Sequence, residues 1–249
     1  GGSMLFTSVT FVWFFLPAVL LLHTLLRGQA RNYMLLAASL LFYAWGGPKH
    51  LIVMVLSMLL NWAVGIAIDR LRYKRLWLAA GVVLNLALLG YFKYFNMVVD
   101  LLRLGFSLSL ENLAQVALPI GISFYTFQIL SYTIDVYRGN VESQKNIVDF
   151  GAYVSMFPQL IAGPIVQYTQ VAAQLKSRST SLADIDEGLR IFVLGLGSKV
   201  LLANRIGALW SDAQAAGFDS LSTTAAWMAA AAFSFQLYFD FYGYSLMAV

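Results

Sequence analysis

Long apolar stretches follow one another through the first part of this sequence, at residues 5–26, 33–45, 51–68 and 76–92. A helix needs about 20 predominantly apolar residues to cross the hydrocarbon core of a bilayer. Charged residues form only 11% of the chain, whereas a soluble domain carries about 25%, so there are too few polar side chains to cover a water-facing surface. The sequence therefore predicts an all-α, polytopic transmembrane protein.

One apolar stretch, residues 147–166, is interrupted by Pro158, Gly163 and Pro164, with Gln159 among them. Proline removes a backbone donor and breaks a helix. Irregular backbone at membrane depth is tolerated only where it is buried in protein or lines a cavity. We therefore expect a broken or re-entrant helix here.

Further apolar stretches at 116–137, 189–209 and 224–249 bring the expected total to about eight membrane segments. The sequence shows no internal repeat. We assign residues 4–249 to a single transmembrane helical domain, and we interpret residues 1–3 (GGS) as a tag remnant.

The connections between the first spans differ in charge, and this difference predicts an orientation. Basic residues lie in the first and third connections, at Arg27, Arg31, Arg70, Arg72, Lys74 and Arg75, whereas the second holds only Lys49. Cytoplasmic loops carry an excess of lysine and arginine, so we place the N-terminus outside, on the periplasmic side. Residues 91–104 carry spaced charges and are expected to leave the apolar core and lie at an interface with the membrane lipids.

Several kinds of site are improbable in this sequence. It has no cysteine and only two histidines, His23 and His50, so we expect no metal site. Neither histidine has a neighbouring serine, aspartate or glutamate arranged with it as a nucleophile and base. Its basic residues are scattered through short loops, so we expect no nucleic-acid partner. No glycine-rich phosphate loop is present.

Polar side chains within the apolar stretches form two helical faces. Gln128, Ser131, Tyr132 and Asp135 share one face, which either lines a tunnel for a polar substrate or holds helices together by hydrogen bonds. Near the end of this helix, an ion pair of Asp135 with Arg138 is the favoured interpretation.

The second face carries Gln236, Asp240 and Tyr244. Asp240 lies between two phenylalanines, so its carboxylate needs a cationic partner or a raised pKa. We interpret it either as part of a cavity wall or as half of a buried structural pair with Lys199 or Arg205.

Two further patterns predict local structure. Ser57, Asn61 and Gly65 form a stripe of small and polar residues that is best explained by close helix packing. Asp184 is a plausible N-cap for the helix that follows the polar loop 167–187.

Several motifs resemble those of the membrane-bound O-acyltransferase family, in particular its bacterial alginate O-acetyltransferase branch. Residues 118–139 read LPIGISFYTFQILSYTIDVYRG, similar to that branch's signature. Four shorter motifs occur in the family's order: LFYAW at 41–45, GYFKY at 90–94, FPQLIAGP at 157–164 and YFDFYGYSLMA at 238–248. The last departs from the family pattern, because Tyr242 and Leu246 replace a serine and an aspartate.

The resemblance implies acyl transfer, in which a histidine acts as general base on an acceptor hydroxyl. The family's tryptophan–histidine motif has no match here, so we expect the chain to be the N-terminal half of such an enzyme. The catalytic histidine is expected beyond residue 249. An inactive fragment is therefore an alternative interpretation of the chain by itself.

Family membership implies that an acetyl group moves from a cytoplasmic thioester, acetyl-CoA, toward an exopolysaccharide such as alginate, with a periplasmic partner protein completing the transfer. Acetyl-CoA is then a substrate, and no bound cofactor is expected. The expected location is the bacterial inner membrane. A transporter and a non-catalytic membrane scaffold remain as alternatives. From motif position and helix face, the residues expected to line the substrate passage are Ser123, Tyr125, Gln128, Gln159, Asp240 and Tyr244.

Overall fold

The computed structural model describes residues 7–106, 115–160, 166–176, 178 and 181–248. Within these ranges the chain forms eleven α-helices and no strand, so the all-α prediction is confirmed. Three helical stretches are long and apolar enough to cross a membrane: Pro48–Arg70, Lys74–Gly105 and Leu182–Ala216. A shorter apolar helix, Phe11–Leu25, occupies much of the predicted first span.

The chain divides into two compact units. Within the described ranges, the first unit comprises residues 19–160 and 166–176, and the second comprises 7–18, 178 and 181–248. The assignment of both to one domain stays a prediction. A π-helical turn, Phe11–Phe15, and helix α1, Leu16–Leu25, lead from the second unit into the first.

The first unit continues through seven helices, of which α5 is the central one. In chain order they are α2 Gln29–Gly46, α3 Pro48–Arg70, α4 Lys74–Phe106, α5 Ile122–Arg138, α6 Ile147–Ser155, α7 Phe157–Leu160 and α8 Tyr168–Lys176. Helix α5 packs against α3, α4 and α6. Its Tyr125, Ile129 and Tyr132 are fully buried, as are Met54 of α3 and Phe150 of α6, so the core of this unit surrounds the long sequence motif.

A buried pair of amides joins α3 to α4. The Asn85 amide nitrogen donates to the Asn61 side-chain oxygen at 2.6 Å, and Asn61 donates back at 3.3 Å. Asn61 also donates to the Ser57 carbonyl, and a Cβ on Gly65 would lie 3.0 Å from the Tyr132 ring. The stripe on α3 therefore serves close packing, as predicted, with hydrogen bonds added.

Helix α4 unites two predicted segments. The span 76–92 and the stretch 91–104 form one uninterrupted helix of 33 residues. At 1.5 Å per residue such a helix is about 50 Å long, more than the roughly 30 Å hydrocarbon core of a bilayer. Its charged end, with Asp100 paired to Arg103 at 3.5 Å, is therefore expected outside the hydrocarbon.

The predicted break within 147–166 is present. Helix α6 ends at Ser155, Met156 is not helical, and the single turn α7 begins one residue before Pro158. The Phe157 backbone N–H donates instead to the Ser39 hydroxyl of α2 at 3.2 Å. Gly163 and Pro164 lie outside the described residues.

Two predicted contacts at helix ends are wrong. Asp135 accepts a hydrogen bond from the Asn140 amide at 3.1 Å and forms no ion pair with Arg138, because the chain turns at Gly139 in the left-handed region, with φ of 77°. Ser181, and not Asp184, is the N-cap of the next helix. Asp184 occupies the third helical position and completes a capping box with Ser181.

Residues 181–248 of the second unit form a pair of long helices. Helix α9, Leu182–Gly197, a π-helical turn, Ser198–Ala203, and helix α10, Asn204–Ala216, form one continuous rod. After a 3₁₀ turn at Phe218–Ser220, helix α11, Thr223–Ala248, packs along it.

Glycines set the closest approach of these helices. A Cβ on Gly195 would lie 2.6 Å from the Gly243 carbonyl oxygen, and a Cβ on Gly243 would lie 2.7 Å from that of Gly195. A Cβ on Gly207 would lie 2.7 Å from the Gln236 amide. Any larger side chain at Gly195 or Gly243 would force the two backbones apart, so this packing requires glycine.

Replacing Asn85 by leucine is expected to lower the free energy of unfolding by about 1–2 kcal/mol, because Asn61 loses its partner in an apolar environment. Thermal unfolding in detergent measures this loss. The double variant N61L/N85L should recover part of it, since no polar group is then left unpaired. A double variant less stable than N85L would contradict this account.

Replacing Gly195 by alanine is expected to destabilise the second unit by about 1–3 kcal/mol, because the added methyl group meets backbone that cannot move independently. Gly188→Ala on the same helix is the matched control, since nothing lies within 4 Å of its Cβ position. Alanine is the better helix former, so the control should melt no lower than the wild type. Equal melting of the two variants would show that the close approach is not required.

Candidate functional site

The six residues expected to line a passage fall into two groups. In the first unit, three lie on α5 and one on α7, and in the second unit two lie on α11. The first group is Ser123, Tyr125, Gln128 and Gln159, and the second is Asp240 and Tyr244. Each group has its own geometry, and their common role in one passage stays a prediction.

The start of α5 is fixed by one glycine. Gly121 precedes the helix with φ of 71°, a region that favours glycine, and a Cβ there would lie 2.3 Å from the Leu160 carbonyl oxygen. The first turn of α5, with the half-buried Ser123, therefore lies against α7, which holds the half-buried Gln159. The glycine of the LPIG motif thus places both predicted residues at one junction.

Tyr125 is buried against Tyr43 of α2. Their side chains are 0% and 5% exposed, and their hydroxyl groups interact with each other. Neither hydroxyl forms a hydrogen bond of standard geometry within the described part of the chain. The same holds for the Trp62 ring nitrogen and the Thr126 hydroxyl. Buried polar atoms of this kind are uncommon, and they would stabilise a water molecule or a polar group of a ligand.

Gln128 has a different environment. Its amide nitrogen donates to the Tyr153 carbonyl oxygen at 2.9 Å, and the side chain is 4% exposed. The Tyr153 hydroxyl in turn donates to the Val166 carbonyl at 2.9 Å. At Gln128, the geometry therefore matches the alternative of hydrogen bonds that hold helices together, and its place in a passage stays a prediction.

Tyr132, on the same face, belongs to an aromatic cluster near the end of α5. Its hydroxyl accepts the Gln144 backbone N–H at 2.8 Å, and the Gln144 side chain donates to the Tyr168 hydroxyl at 2.8 Å. Burial raises the pKa of the Tyr168 hydroxyl above its ordinary value. Through Gln144 the cluster joins the loop 139–146 to the last part of α5 and to the start of α8.

In the second unit, Asp240 forms an ion pair with Lys199. The Lys199 ammonium also lies 5.3 Å from the centre of the Tyr244 ring, within the range of a cation–π contact. The Lys199 side chain is 18% exposed and that of Asp240 is 32% exposed, so both are partly buried in a mostly apolar pair of helices. Of the two predicted partners, Lys199 is therefore the one observed, and Arg205 is exposed.

The backbone around Lys199 is unusual. It lies in the π-helical turn, which inserts one extra residue into the rod and rotates the side chains that follow. Such turns occur frequently at functional sites. The face of α11 that holds Gln236, Asp240 and Tyr244 packs against this turn and against Gly207, and the Gln236 side-chain oxygen is buried without a hydrogen bond in the described ranges. The second predicted face is therefore an assembled polar cluster.

Sequence reasoning missed a third polar group. Asp149, 7% exposed, accepts hydrogen bonds from Gln29 at 2.6 Å and Asn32 at 2.8 Å, and Asn32 also donates to the Leu175 carbonyl. This group ties α2, α6 and α8 together. The signal in the sequence was the carboxylate in the first turn of α6, three residues after the N-cap Asn146.

The described residues contain no group of three or more histidine, cysteine, aspartate or glutamate side chains that could hold a metal ion. Their polar clusters consist of amides, hydroxyls, the Asp149 carboxylate and the partly buried Lys199–Asp240 ion pair. Such groups bind and orient a polar substrate by hydrogen bonds and charge.

No family model matches the chain. Individual relatives do match over nearly its whole length. "Probable alginate O-acetylase AlgI" of Pseudomonas aeruginosa is 40% identical over 99% of the chain and 48% of its own length. The protein of the same name from Azotobacter vinelandii is 39% identical over 99% of the chain and 50% of its own length.

A relative with a different name matches in the same way. "Peptidoglycan O-acetyltransferase" of Helicobacter pylori is 36% identical over 99% of the chain and 53% of its own length. The chain thus spans about half the length of the curated relatives it matches. Since 99% of the chain aligns with them, the resemblance is confirmed, and the chain is a homologue of O-acetylases of the membrane-bound O-acyltransferase family.

Proposed function

We propose that this chain forms part of a membrane-bound O-acetyltransferase. In this proposal the whole protein moves an acetyl group from a cytoplasmic thioester, acetyl-CoA, toward a polysaccharide outside the membrane, with a periplasmic partner protein completing the transfer. The observation that carries the proposal is the similarity over 99% of the chain to relatives named for O-acetylation of alginate or peptidoglycan. The three long apolar helices support a location in the inner membrane.

The reaction requires a base and a means of stabilising negative charge. An acceptor hydroxyl gives its proton to a histidine, attacks the thioester carbonyl carbon, and expels the thiolate, which takes up a proton. Donors near the carbonyl oxygen stabilise the tetrahedral oxyanion. Neither His23 nor His50 matches the family's catalytic motif. We therefore place the base in the half of such a protein that this chain does not cover.

We assign the polar cluster of the second unit to the wall of the substrate passage. An ion pair among apolar helices costs desolvation energy that packing alone does not require, since apolar residues of similar size would hold the helices together. The Lys199 ammonium has three N–H donors, so it can hold Asp240 and still donate to a substrate oxygen. The π-helical turn orients the Lys199 side chain toward α11.

We assign a related role to the buried hydroxyl groups of Tyr43 and Tyr125 in the first unit. Tyr43 and Tyr125 have unused hydrogen-bonding capacity deep within the helices, and Tyr125 lies one turn along α5 from Gly121, which contacts Leu160 of α7. In this proposal the two hydroxyl groups bind a polar group of the substrate, or a water molecule before the substrate arrives. Ser123 and Gln159, at the junction of α5 and α7, lie at the entrance to this region.

The activity itself can be tested with the whole protein in membrane vesicles, together with acetyl-labelled coenzyme A. The proposal expects release of free coenzyme A and appearance of label in polysaccharide or in a periplasmic protein. A transporter would instead accumulate a solute inside the vesicles without cleaving the thioester. Absence of thioester cleavage under conditions where a curated relative cleaves it would overturn the proposal.

Replacing Asp240 by asparagine is expected to slow acetyl transfer about tenfold or more, because Lys199 loses its counter-charge and its position. The matched control is Asp186→Asn, which breaks the exposed pair of Asp186 with Arg190 on α9. Exposed pairs contribute little, so the control should keep its rate within about twofold. Initial rates of label transfer measure both effects.

A double variant separates a passage role from a purely structural one. Lys199→Met with Asp240→Leu removes both charges and keeps the volume, so the fold should regain the stability that D240N loses. Our account expects transfer to stay slow. Recovery of wild-type transfer along with stability would show that the pair only holds the helices together.

A further inference from the structure

The short connection between α3 and α4 surrounds an open cavity of about 680 Å³ in the first unit. Its lining is Arg72, Tyr73, Lys74, Arg75, Leu76 and Tyr137. All but Tyr137 are exposed, and Tyr137 is half-buried near the end of α5. Binding pockets for small molecules typically have volumes of about 300–1,000 Å³, so the cavity is large enough for a substrate fragment.

The three cations of this cavity have no carboxylate partner. Within the described ranges the ion pairs join Arg103, Arg190 and Lys199 to aspartates, and none involves a cavity residue. The carboxylates nearest in sequence are already engaged. Asp69 accepts the Ser143 hydroxyl at 2.9 Å, and Asp135 accepts the Asn140 amide at 3.1 Å.

The Asp69–Ser143 bond also joins the end of α3 to the loop 139–146. The nearby carboxylates thus accept hydrogen bonds from neutral hydroxyl and amide groups. Three positive charges around one cavity are left without a counter-charge in the described part of the chain. Like charges at this spacing repel one another, so an anion of several charges would be bound favourably. Phosphate oxygens match lysine and arginine donors well, and arginine can contact them through two parallel N–H groups.

Two aromatic rings complete the lining. Tyr73 is 67% exposed, and the half-buried Tyr137 lines the same cavity. Aromatic rings stack on planar bases, and this contact is tolerant of base identity. A lipid headgroup offers phosphate but no planar ring. Cations and aromatic rings together therefore favour a phosphorylated nucleotide.

Resting on the proposed function, we propose that this cavity binds the phosphorylated nucleotide part of the thioester donor. Arg72, Lys74 and Arg75 contact the phosphates, and Tyr73 and Tyr137 stack on the base. The basic connection is the one expected on the cytoplasmic side, where a cytoplasmic thioester arrives. Because the connection joins two membrane helices, it would hold the nucleotide at the membrane surface while the acyl end extends inward.

The test measures binding of coenzyme A to the whole protein in nanodiscs of zwitterionic lipid, by titration calorimetry. The variant R72Q/K74Q/R75Q should bind about tenfold more weakly or worse, because charge-assisted contacts to phosphate are lost. Tyr73→Leu keeps the charges and should weaken binding of coenzyme A but not of inorganic pyrophosphate. Raising the salt concentration should weaken binding to the wild type, since exposed charges are screened.

Lys49→Gln is the matched control. It removes an exposed cation at the opposite end of α3, about 30 Å away along the helix axis, and should leave binding unchanged. All substituted side chains are exposed, so the variants should melt like the wild type.

Wild-type affinity in the triple variant would overturn this assignment, as would pyrophosphate binding as tightly as coenzyme A. The wild type and the triple variant are also compared in nanodiscs that contain phosphatidylglycerol. If their binding differs only in those nanodiscs and is equal in zwitterionic ones, the cavity is a lipid-headgroup site and the assignment fails. Acetyl transfer from acetyl-CoA with normal binding in the triple variant would overturn the site and leave the proposed function standing. Absence of both binding and transfer would overturn both.

Discussion

Each polar group inside these apolar helices must find its partner within the protein, because a bilayer core supplies none. This constraint accounts for most of the side-chain hydrogen bonds that join the helices. Asn61 and Asn85 pair between α3 and α4, and Asp149 receives amides from α2. The contacts are local and specific, so they fix which faces meet where apolar packing alone would permit several registers.

The buried polar atoms that lack such a partner in the described residues are the ones of functional interest. Tyr43 and Tyr125 keep unused hydrogen-bonding capacity in the first unit, and Gln236 does so in the second. Lys199 and Asp240 are paired with each other, yet Lys199 lies in a π-helical turn that a purely structural contact would not need. Glycine at 121, 195 and 243 brings backbone close to these groups. The motifs therefore combine close backbone packing with polar side chains between the helices.

Much of this could be predicted from sequence. Apolar stretches and few charges predicted the helices, and Pro158 predicted the break after α6. Helix ends were less predictable, because Asp135 had two partners within reach and Gly139 turned the chain toward Asn140 rather than Arg138. The Asp149 cluster could not be found either, since its partners lie 117 and 120 residues away in sequence. Periodicity identifies a face of one helix but not the distant residue that it meets.

The central claim is that the face of α11 with Asp240 and Tyr244 is reached by water and substrate. The sequence has no cysteine, so a single cysteine introduced at Tyr244 of the whole protein in membranes reports its own environment. A charged, water-soluble thiol reagent should modify this cysteine, whereas a cysteine at Leu237, an exposed apolar position on α11 that we expect to face lipid, should react slowly. An unreactive cysteine at Tyr244 beside a reactive one at Leu237 would contradict a passage along this face.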